Sequence, residues 1–421
     1  MKTDFAKVVP PMFSHLSVRH PPVHFALCLL AALVLGLPAA AAPTEVGPEV
    51  ERVEELPSPA EDETPAAGAA KSQGEEAAEA PVEAEPEEPQ WGMLEILGEE
   101  VPPGSVRELS LSVSETYIGL TVDVPVVVVR GVEEGPTLCL TAGIHGDELN
   151  GIEVVRNTMD RLRPTDLVGT VIGIPIVNVH GFQTSSRYLP DRRDLNRFFP
   201  GNATGSSASR IARRIFREVI QKCSALIDLH TGGSHRSNLP QVRGDLRDER
   251  ILELARSFRA GAIVHNPGPE GTLRRAAHAI GIPAIVYEAG EPMRFQAQEI
   301  KRGVIGVRNV LMDMKMIRGT PVSVGEQRIF FRTEWVRADR GGILVSEVRL
   351  GDHVREGEIL GTITDPIRKE THVILSPHRG QILGMAVAPV MIPGYAAFHI
   401  GIPGAAPEDF DDSTNELEHP E

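Results

Sequence analysis

The sequence predicts an α/β domain, in which helices flank a mixed, mostly parallel sheet, followed by a small C-terminal all-β domain that resembles a barrel. Two observations predict this fold. Short runs rich in Val and Ile alternate with amphipathic helical patterns over residues 91–320, as is typical of parallel strands buried on both faces. Residues 321–405 contain short strand-like runs punctuated by Gly and Pro, without a clear helix. Residues 43–90 and 406–421 are instead rich in acidic residues.

Six apolar runs are the candidate strands of the α/β domain: VPVVVVRG, TLCLTAG, TVIGIPIVN, ALIDLHT, AGAIVHN and PAIVYEAG. The helical patterns between them include GIEVVRNTMDRL, ASRIARRIFREVIQ, RILELARSFRA and LRRAAHAIG. Ligands of such sheets bind beyond the carboxyl ends of the strands. Polar residues at the ends of these runs are therefore the first candidates for a functional site.

Residues 1–42 have the composition of a secretory signal peptide. Basic residues precede the apolar run FALCLLAALVLGLP, and a small-residue cleavage site follows at Ala41 or Ala42. The apolar run is short for a membrane span. We therefore expect cleavage, no stable membrane span afterwards, and an exported, periplasmic protein. A retained N-terminal membrane anchor is the alternative.

The acidic charge of the chain is concentrated outside the predicted domains. The net charge is −16, and residues 43–90 alone hold fifteen acidic residues against Arg52 and Lys71. Residues 406–421 hold seven more acidic residues. Segments of this composition cannot bury enough apolar surface to fold, so we expect a disordered linker and a disordered tail. The remaining body is nearly neutral and has no basic stripe, which argues against a nucleic-acid partner.

Two cysteines would remain after removal of the signal peptide. Cys139 and Cys223 lie in or beside apolar runs, and neither belongs to a C-x-x-C motif. Free cysteine is commonly buried in such surroundings. We therefore expect two unpaired thiols, although an oxidising compartment would permit a disulfide.

Three residues at predicted strand ends suit a metal ion. His145 and Glu148 follow the run TLCLTA, and His230 ends the run ALIDLH. A catalytic zinc takes three imidazole or carboxylate ligands and keeps one position open for water. Taken alone, each element is better explained by a surface turn or by a hydrogen-bonded histidine at a strand end. Together they indicate a site for one zinc ion per chain.

Four further residues suit catalysis and substrate binding. Glu288 follows the run IPAIVY, and a carboxylate beside zinc can take a proton from water and return it to a leaving group. Glu288 is thus the candidate general base, unless it caps a neighbouring element. The segment SSRYLPDRRDLNRFFPG adds Asn196 and Arg197, whose donors suit a substrate carboxylate. Arg187 could stabilise the oxyanion that develops on the scissile carbonyl.

The motifs GIHGDE, DLNRFFPG, DLHTG and YEAGE occur in this order over about residues 110–320. As a set they resemble the succinylglutamate desuccinylase/aspartoacylase family, a branch of the zinc carboxypeptidase superfamily. The segment HRSNLPQVRGDL and the all-β C-terminal region are similar to bacterial predicted deacylases of this family. The resemblance implies a zinc-carboxypeptidase-like fold.

The resemblance also implies the roles of the residues. Zinc would be held by His145, Glu148 and His230, with Glu288 as general base. Asn196 and Arg197 would bind the substrate carboxylate.

The sequence thus predicts a zinc-dependent hydrolase that cleaves the amide bond of an N-acyl amino acid or a similar small-molecule carboxylate. Two alternatives keep the same fold. One is an exported zinc carboxypeptidase that acts on a peptide or a cell-wall fragment. The other is a ligand-binding module without turnover, against which the complete set of site residues argues.

Overall fold

The computed structural model describes residues 92–116, 118–233, 235–323 and 325–406. The predicted signal peptide, the predicted acidic linker and all but the first residue of the predicted acidic tail lie outside these ranges. Among the residues that the structure describes, no helix combines the length and the apolar character needed to span a membrane.

The described chain up to residue 313 contains both strands and helices. Its strands are β1 (Leu94–Ile96), β2 (Glu99–Val101), β3 (Ser105–Glu115), β4 (Thr121–Arg130), β5 (Glu133–Ala142), β6 (Val168–Ile174), β7 (Ala225–His230), β8 (Arg236–Gly244), β9 (Ala262–His265) and β10 (Ala284–Gly290). Its helices are α1 (Asn150–Met159), α2 (Val179–Gln183), α3 (Ser207–Glu218), α4 (Glu249–Phe258), α5 (Leu273–Ala279) and α6 (Ala297–Asp313).

The C-terminal part consists of short strands. They are β11 (Arg328–Phe330), β12 (Arg332–Arg337), β13 (Gly342–Ser346), β14 (His353–Val354), β15 (Ile359–Thr364), β16 (Thr371–Leu375), β17 (Gly380–Ala386), β18 (Val390–Met391) and β19 (Ala396–Ile402). All pairs among these strands are antiparallel, in agreement with the prediction of an all-β region.

Parallel strands form the centre of the main sheet, in the order β6-β5-β7-β10. Antiparallel strands continue the sheet on both sides, with β4 and β3 beyond β6 and with β8 beyond β10. The predicted mixed sheet flanked by helices is confirmed. The carboxyl ends of β5, β7 and β10 meet at one edge of the sheet because the three strands run parallel.

Helices cover both faces of this sheet. Along β5, Cys139 packs in one buried cluster together with Ile211 and Ile215 of α3, whereas Leu138 and Leu140 belong to a second cluster that includes α1, α4 and α6. Successive strand residues point to opposite faces, so the continuous apolar run of β5 fills both cores. Each such side chain stabilises the fold by about 1.5–3 kcal/mol through removal from water.

The C-terminal strands extend the main sheet. β17 pairs with β8 in antiparallel register, and β19 and β12 follow β17 in the strand order. β13, β15, β16 and β18 form a separate four-stranded sheet. The boundary at residues 320 and 321 stays a prediction, but the pairing of β8 with β17 places the C-terminal strands next to the strand that borders β10.

The expectation that the two cysteines are unpaired is wrong. Cys139 and Cys223, expected to be unpaired thiols, form a disulfide with a Cα–Cα distance of 5.7 Å, which lies within the range that a disulfide requires. The physical reason is the sheet order. β5 and β7 are neighbours, with Cys139 opposite Leu226, so the residues just before β7 bring Cys223 beside Cys139.

We expect reduction of this disulfide to lower the free energy of unfolding by about 2–4 kcal/mol. The bond joins positions separated by 84 residues, and a long closed loop restricts the unfolded chain strongly. Urea unfolding with and without a reductant measures the effect. The double variant Cys139→Ala/Cys223→Ala is the control, since its midpoint should not respond to the reductant. A wild-type midpoint that does not respond either would contradict the pairing.

Candidate active site

The turn between β5 and α1 presents His145 and Glu148. The backbone N–H of Glu148 donates to the carbonyl of His145 at 3.2 Å, which closes the turn just before α1 begins. Gly146 allows this turn to pack against α2, because a Cβ atom at Gly146 would lie 1.9 Å from the carbonyl carbon of Gly181. Gly146 thus permits a close backbone contact beside the site.

Two neighbouring strands supply His230 and Glu288. β7 and β10 are parallel, and Glu288 lies opposite His230 in their register. Paired residues on adjacent strands point to the same face of a sheet. The structure therefore brings together the two strand-end residues that the sequence separates by more than fifty positions.

His145, Glu148 and His230 form a compact buried group. Nδ1 of His145 lies 2.8 Å from Oε1 of Glu148, and Nδ1 of His230 lies 2.8 Å from Oε2 of the same carboxylate. One ligand atom from each residue lies within 4.8 Å of the others. These three side chains could hold a metal ion, as the sequence predicts.

A second carboxylate contacts each histidine ring, at the ring nitrogen that does not face Glu148. Nε2 of His145 lies 3.1 Å from Asp194, and Nε2 of His230 lies 2.8 Å from Asp228. Thr141 in turn donates to Asp228 at 2.7 Å. Histidines that bind metals commonly use their second ring nitrogen in this way, which fixes the ring and leaves the other nitrogen for the ion. The sequence analysis missed Asp194 and Asp228, although both lie within the motifs DLNR and DLH.

The electrostatics of the group also fit a cation. Burial tends to raise the pKa of Glu148, but His145 and His230 hold that pKa well below its usual value. Burial tends to lower the pKa of His230, but Asp228 and Glu148 raise it well above its usual value. The surroundings thus favour positive charge between the carboxylate and the ring nitrogens. A metal ion can replace protons at such a place.

Three predicted residues come from the segment after α2. Arg187 donates to Glu148 at 3.1 Å and to Asp194 at 2.9 Å. Arg197 lies 3.6 Å from the same Asp194. The side-chain oxygen of Asn196 accepts a hydrogen bond from the backbone N–H of Leu273 at 2.8 Å, which anchors the amide at the start of α5. Asp194 therefore links Arg187 and Arg197 to the metal-ligand group.

Two residues of β8 hold the carboxylate of Glu288. The Asn238 side chain donates to Glu288 at 2.7 Å, and the guanidinium of Arg243 lies 3.5 Å from its other oxygen. β8 was not among the strands predicted from the sequence, so both contacts were missed. The polar segment HRSNLPQVRGDL was the available signal, since it was singled out as similar to predicted deacylases.

The site residues surround one cavity. It is lined by all seven predicted residues: His145, Glu148, Arg187, Asn196, Arg197, His230 and Glu288. Several residues that the sequence analysis missed also line it, among them Arg236, Arg274, Trp335 and His399. Trp335 and His399 come from β12 and β19, so the C-terminal strands contribute to the cavity wall.

Sequence comparisons identify related proteins. The succinylglutamate desuccinylase/aspartoacylase catalytic domain matches residues 134–314. The N-alpha-acetyl-L-2,4-diaminobutyric acid deacetylase of Halomonas elongata is 30% identical over 274 residues, which are 62% of this chain and 79% of that protein.

Solved structures agree with these matches. A succinylglutamate desuccinylase/aspartoacylase from Rhodobacter sphaeroides is 28% identical, with a TM-score of 0.66 over 71% of this chain and 96% of that chain. The ectoine utilization protein EutE (DoeB) from Ruegeria pomeroyi, 22% identical, shares the fold with a TM-score of 0.66 over 72% of this chain and 97% of that one. The chain therefore belongs to the succinylglutamate desuccinylase/aspartoacylase family.

Proposed function

We propose that this protein is a zinc-dependent deacylase that hydrolyses the amide bond of an N-acyl amino acid. The observation that carries the proposal is the group of His145, Glu148 and His230, with a carboxylate behind each histidine and with Glu288 opposite His230. Two imidazoles and one carboxylate are a ligand set of catalytic zinc in hydrolases. Zinc is therefore the metal that we assign to this group.

When bound, zinc supplies Lewis acidity, which polarises a carbonyl and makes water nucleophilic near neutral pH. Glu288 accepts the proton of the attacking water and delivers it to the nitrogen of the leaving amine. Asn238 orients the Glu288 carboxylate for this transfer through its 2.7 Å hydrogen bond. Arg187, which lines the same cavity, is the proposed donor to the oxyanion that develops on the carbonyl.

The cations of the cavity support a substrate with a carboxylate. Arg197 and Arg274 line the wall next to Asn196, and burial together with the nearby charge of Arg243 lowers the pKa of Arg274 to about 10. Arg274 remains charged at neutral pH. The named activity of the Halomonas elongata relative is removal of an acetyl group from an amino acid derivative, which supports the same reaction class here.

A panel of substrates tests this function. Zinc-loaded protein should release amino acid from N-acetyl and other N-acyl amino acids, as measured by detection of the free amine. Peptides with a free C-terminus form the second arm of the panel. If only the peptides are hydrolysed, the protein is a carboxypeptidase and not a deacylase. If substrates bind but none is hydrolysed, the protein is a non-catalytic binding module.

We expect Arg197→Ala to raise KM for an N-acyl amino acid with little change in kcat. Arg197 would hold a carboxylate that is present in both the ground state and the transition state. Loss of Arg197 therefore weakens the binding of both states equally. A charge-assisted hydrogen bond of about 1.5–3 kcal/mol corresponds to a loss of about ten- to a hundred-fold in kcat/KM. Arg193→Ala is the matched control, because Arg193 pairs with Asp191 at the surface. An unaltered KM in Arg197→Ala would contradict the assignment.

Export of the protein stays a proposal, based on the signal-peptide composition of residues 1–42. The disulfide between Cys139 and Cys223 supports it, because structural disulfides persist mainly in oxidising compartments such as the periplasm. The signal-peptide composition and the disulfide are both consistent with an enzyme that acts on a substrate outside the cytoplasm.

A further inference from the structure

Asn150 joins two segments that carry residues of the site. It is the first residue of α1 and follows Glu148 by two positions. Its side chain is 1% exposed and does not line the catalytic cavity. Nδ2 of Asn150 donates to the carbonyl of Ala289 at 3.1 Å, and Ala289 follows Glu288 in β10. One buried amide therefore connects the turn before α1 to the strand that carries the candidate general base.

Gln296, the residue before α6, completes this connection. Its backbone N–H donates to Oδ1 of Asn150 at 2.8 Å, and its Oε1 accepts from Nδ2 of Asn150 at 3.1 Å. The same Oε1 accepts from the backbone N–H of Glu291 at 2.8 Å. A backbone N–H only donates and a carbonyl only accepts, so these partners and the Ala289 carbonyl fix the orientation of both amides. We call the two residues the Asn150–Gln296 pair.

Gly290 lets this pair lie against β10. Its φ is +75°, a conformation that favours glycine, and a Cβ atom there would lie 2.8 Å from Nδ2 of Asn150. The pairing of β10 with β8 also changes register between Glu288 and Gly290. The ladder is therefore irregular immediately after Glu288, at the point where the Asn150–Gln296 pair binds the backbone of β10.

Two backbone hydrogen bonds extend the connection to the segments with the predicted metal ligands. The N–H of Gly232 donates to the carbonyl of Gly290 at 2.9 Å, which binds the segment just after β7. The N–H of Met293 donates to the carbonyl of Asp147 at 2.8 Å, which binds the turn before α1. Residues 289–296 therefore contact both segments that carry the predicted metal ligands.

General base catalysis depends on this kind of placement. A general base must lie within hydrogen-bond reach of the proton that it takes. A misplacement of about 1 Å can cost about a hundred-fold in rate, even when the substitution lies far from the chemistry. The side chain of Glu288 is held by Asn238 and Arg243. The place of its backbone relative to the turn before α1 depends instead on contacts between β10 and α1, and Asn150 makes such a contact directly.

We propose that Asn150 and Gln296 are positioning residues, which set the place of Glu288 relative to the turn before α1. The inference rests on the proposed deacylase function, in which Glu288 is the general base. Neither Asn150 nor Gln296 lines the catalytic cavity, so both act through the backbone of β10. Loss of the pair should impair proton transfer but not zinc binding, because His145 and His230 keep their own carboxylate contacts.

Two substitutions test the pair in the zinc-loaded full chain. Asn150→Ala removes the bond to the Ala289 carbonyl, and Gln296→Met removes the shared Oε1 at a half-buried position. For each variant we expect kcat for an N-acyl amino acid to fall about ten- to a hundred-fold, with KM and zinc content within about three-fold of the wild type. Asn157→Ala is the matched control, because Asn157 lies on the same helix and donates to the carbonyl of Glu153. Wild-type kcat in both variants would overturn the proposal.

A double variant distinguishes the positioning of Glu288 from a general loss of structure. In the Glu288→Gln background, Asn150→Ala should change the residual turnover by less than about three-fold, because residues that act as one unit are not additive. Glutamine at this position has no proton to accept, so its misplacement costs little. The same ten- to hundred-fold loss in both backgrounds would show a merely structural role and overturn the proposal.

Hydrogen exchange separates this inference from the proposed function, because it requires no turnover. The N–H groups of Gly232 and Met293 belong to the connection but bind neither substituted side chain. Their exchange should be about ten-fold faster in Gln296→Met, the effect of about one lost hydrogen bond, while the amides of β5 stay protected. Faster exchange in a protein that hydrolyses no amide would leave the connection standing and remove the deacylase. Unchanged exchange and unchanged kcat in an active enzyme would do the reverse.

Discussion

Glu288→Gln should lower kcat by about 10²- to 10⁴-fold, the range of general acid–base catalysis. Glutamine preserves the shape of the side chain but cannot accept the proton of the attacking water. Zinc content and KM should change little, because Glu288 is held by Asn238 and Arg243 and is not one of the three grouped metal ligands. Steady-state kinetics on an N-acyl amino acid, together with metal analysis, measure both parts.

Glu291→Gln is the matched control for this variant. Glu291 follows the end of β10 and pairs with Arg294 at 2.7 Å, outside the set of residues that line the catalytic cavity. Its replacement should leave kcat within about two- to three-fold, because the Glu291 side chain does not line the catalytic cavity and substitutions away from special features usually have small effects. A Glu288→Gln enzyme with full kcat would remove the proposed proton transfer.

His230→Ala should lose most of its zinc and, with it, measurable turnover. Catalytic zinc is held by three protein ligands, and two remaining ligands cannot keep it against a chelator at equal concentration. The variant also leaves Asp228 buried without its histidine partner, so circular dichroism should accompany the metal analysis. His278→Ala is the control, because His278 pairs with Asp248 away from the cavity. Unchanged zinc content in folded His230→Ala would refute the ligand assignment.

The sequence predicted the strand-end residues well because their placement follows from parallel pairing alone. Continuous apolar runs indicate buried parallel strands, and the carboxyl ends of such strands meet at one edge of the sheet. His145, His230 and Glu288 each come at or just after the end of such a run. Their placement at this edge follows from the sequence pattern, whereas their direct contact depends on the neighbouring order β5-β7-β10.

β8 could not be predicted in the same way. Its sequence RSNLPQVRG contains an asparagine and a proline, which are depleted in strands. Tertiary structure overrides this preference, since β8 is paired on both sides by β10 and β17. Arg236, Asn238 and Arg243 of β8 line the catalytic cavity, so this part of the cavity wall depends on an element that apolar periodicity does not reveal.

The disulfide depended on strand order, which the sequence leaves open. Cys139 and Cys223 meet only because β7 inserts between β5 and β10. The contribution of the C-terminal strands to the cavity has the same cause. Trp335 and His399 reach the site only because β17 pairs with β8.

The central claim is that this chain is a deacylase that requires one zinc ion at His145, Glu148 and His230. Its most direct test is a zinc titration of chelator-treated full-length protein, with hydrolysis of an N-acyl amino acid measured at each addition. Turnover should be absent without metal and should rise linearly to a plateau at about one zinc per chain, the content of a mononuclear three-ligand site. Full turnover before any zinc is added, or a failure of zinc to restore turnover to folded protein, would contradict it.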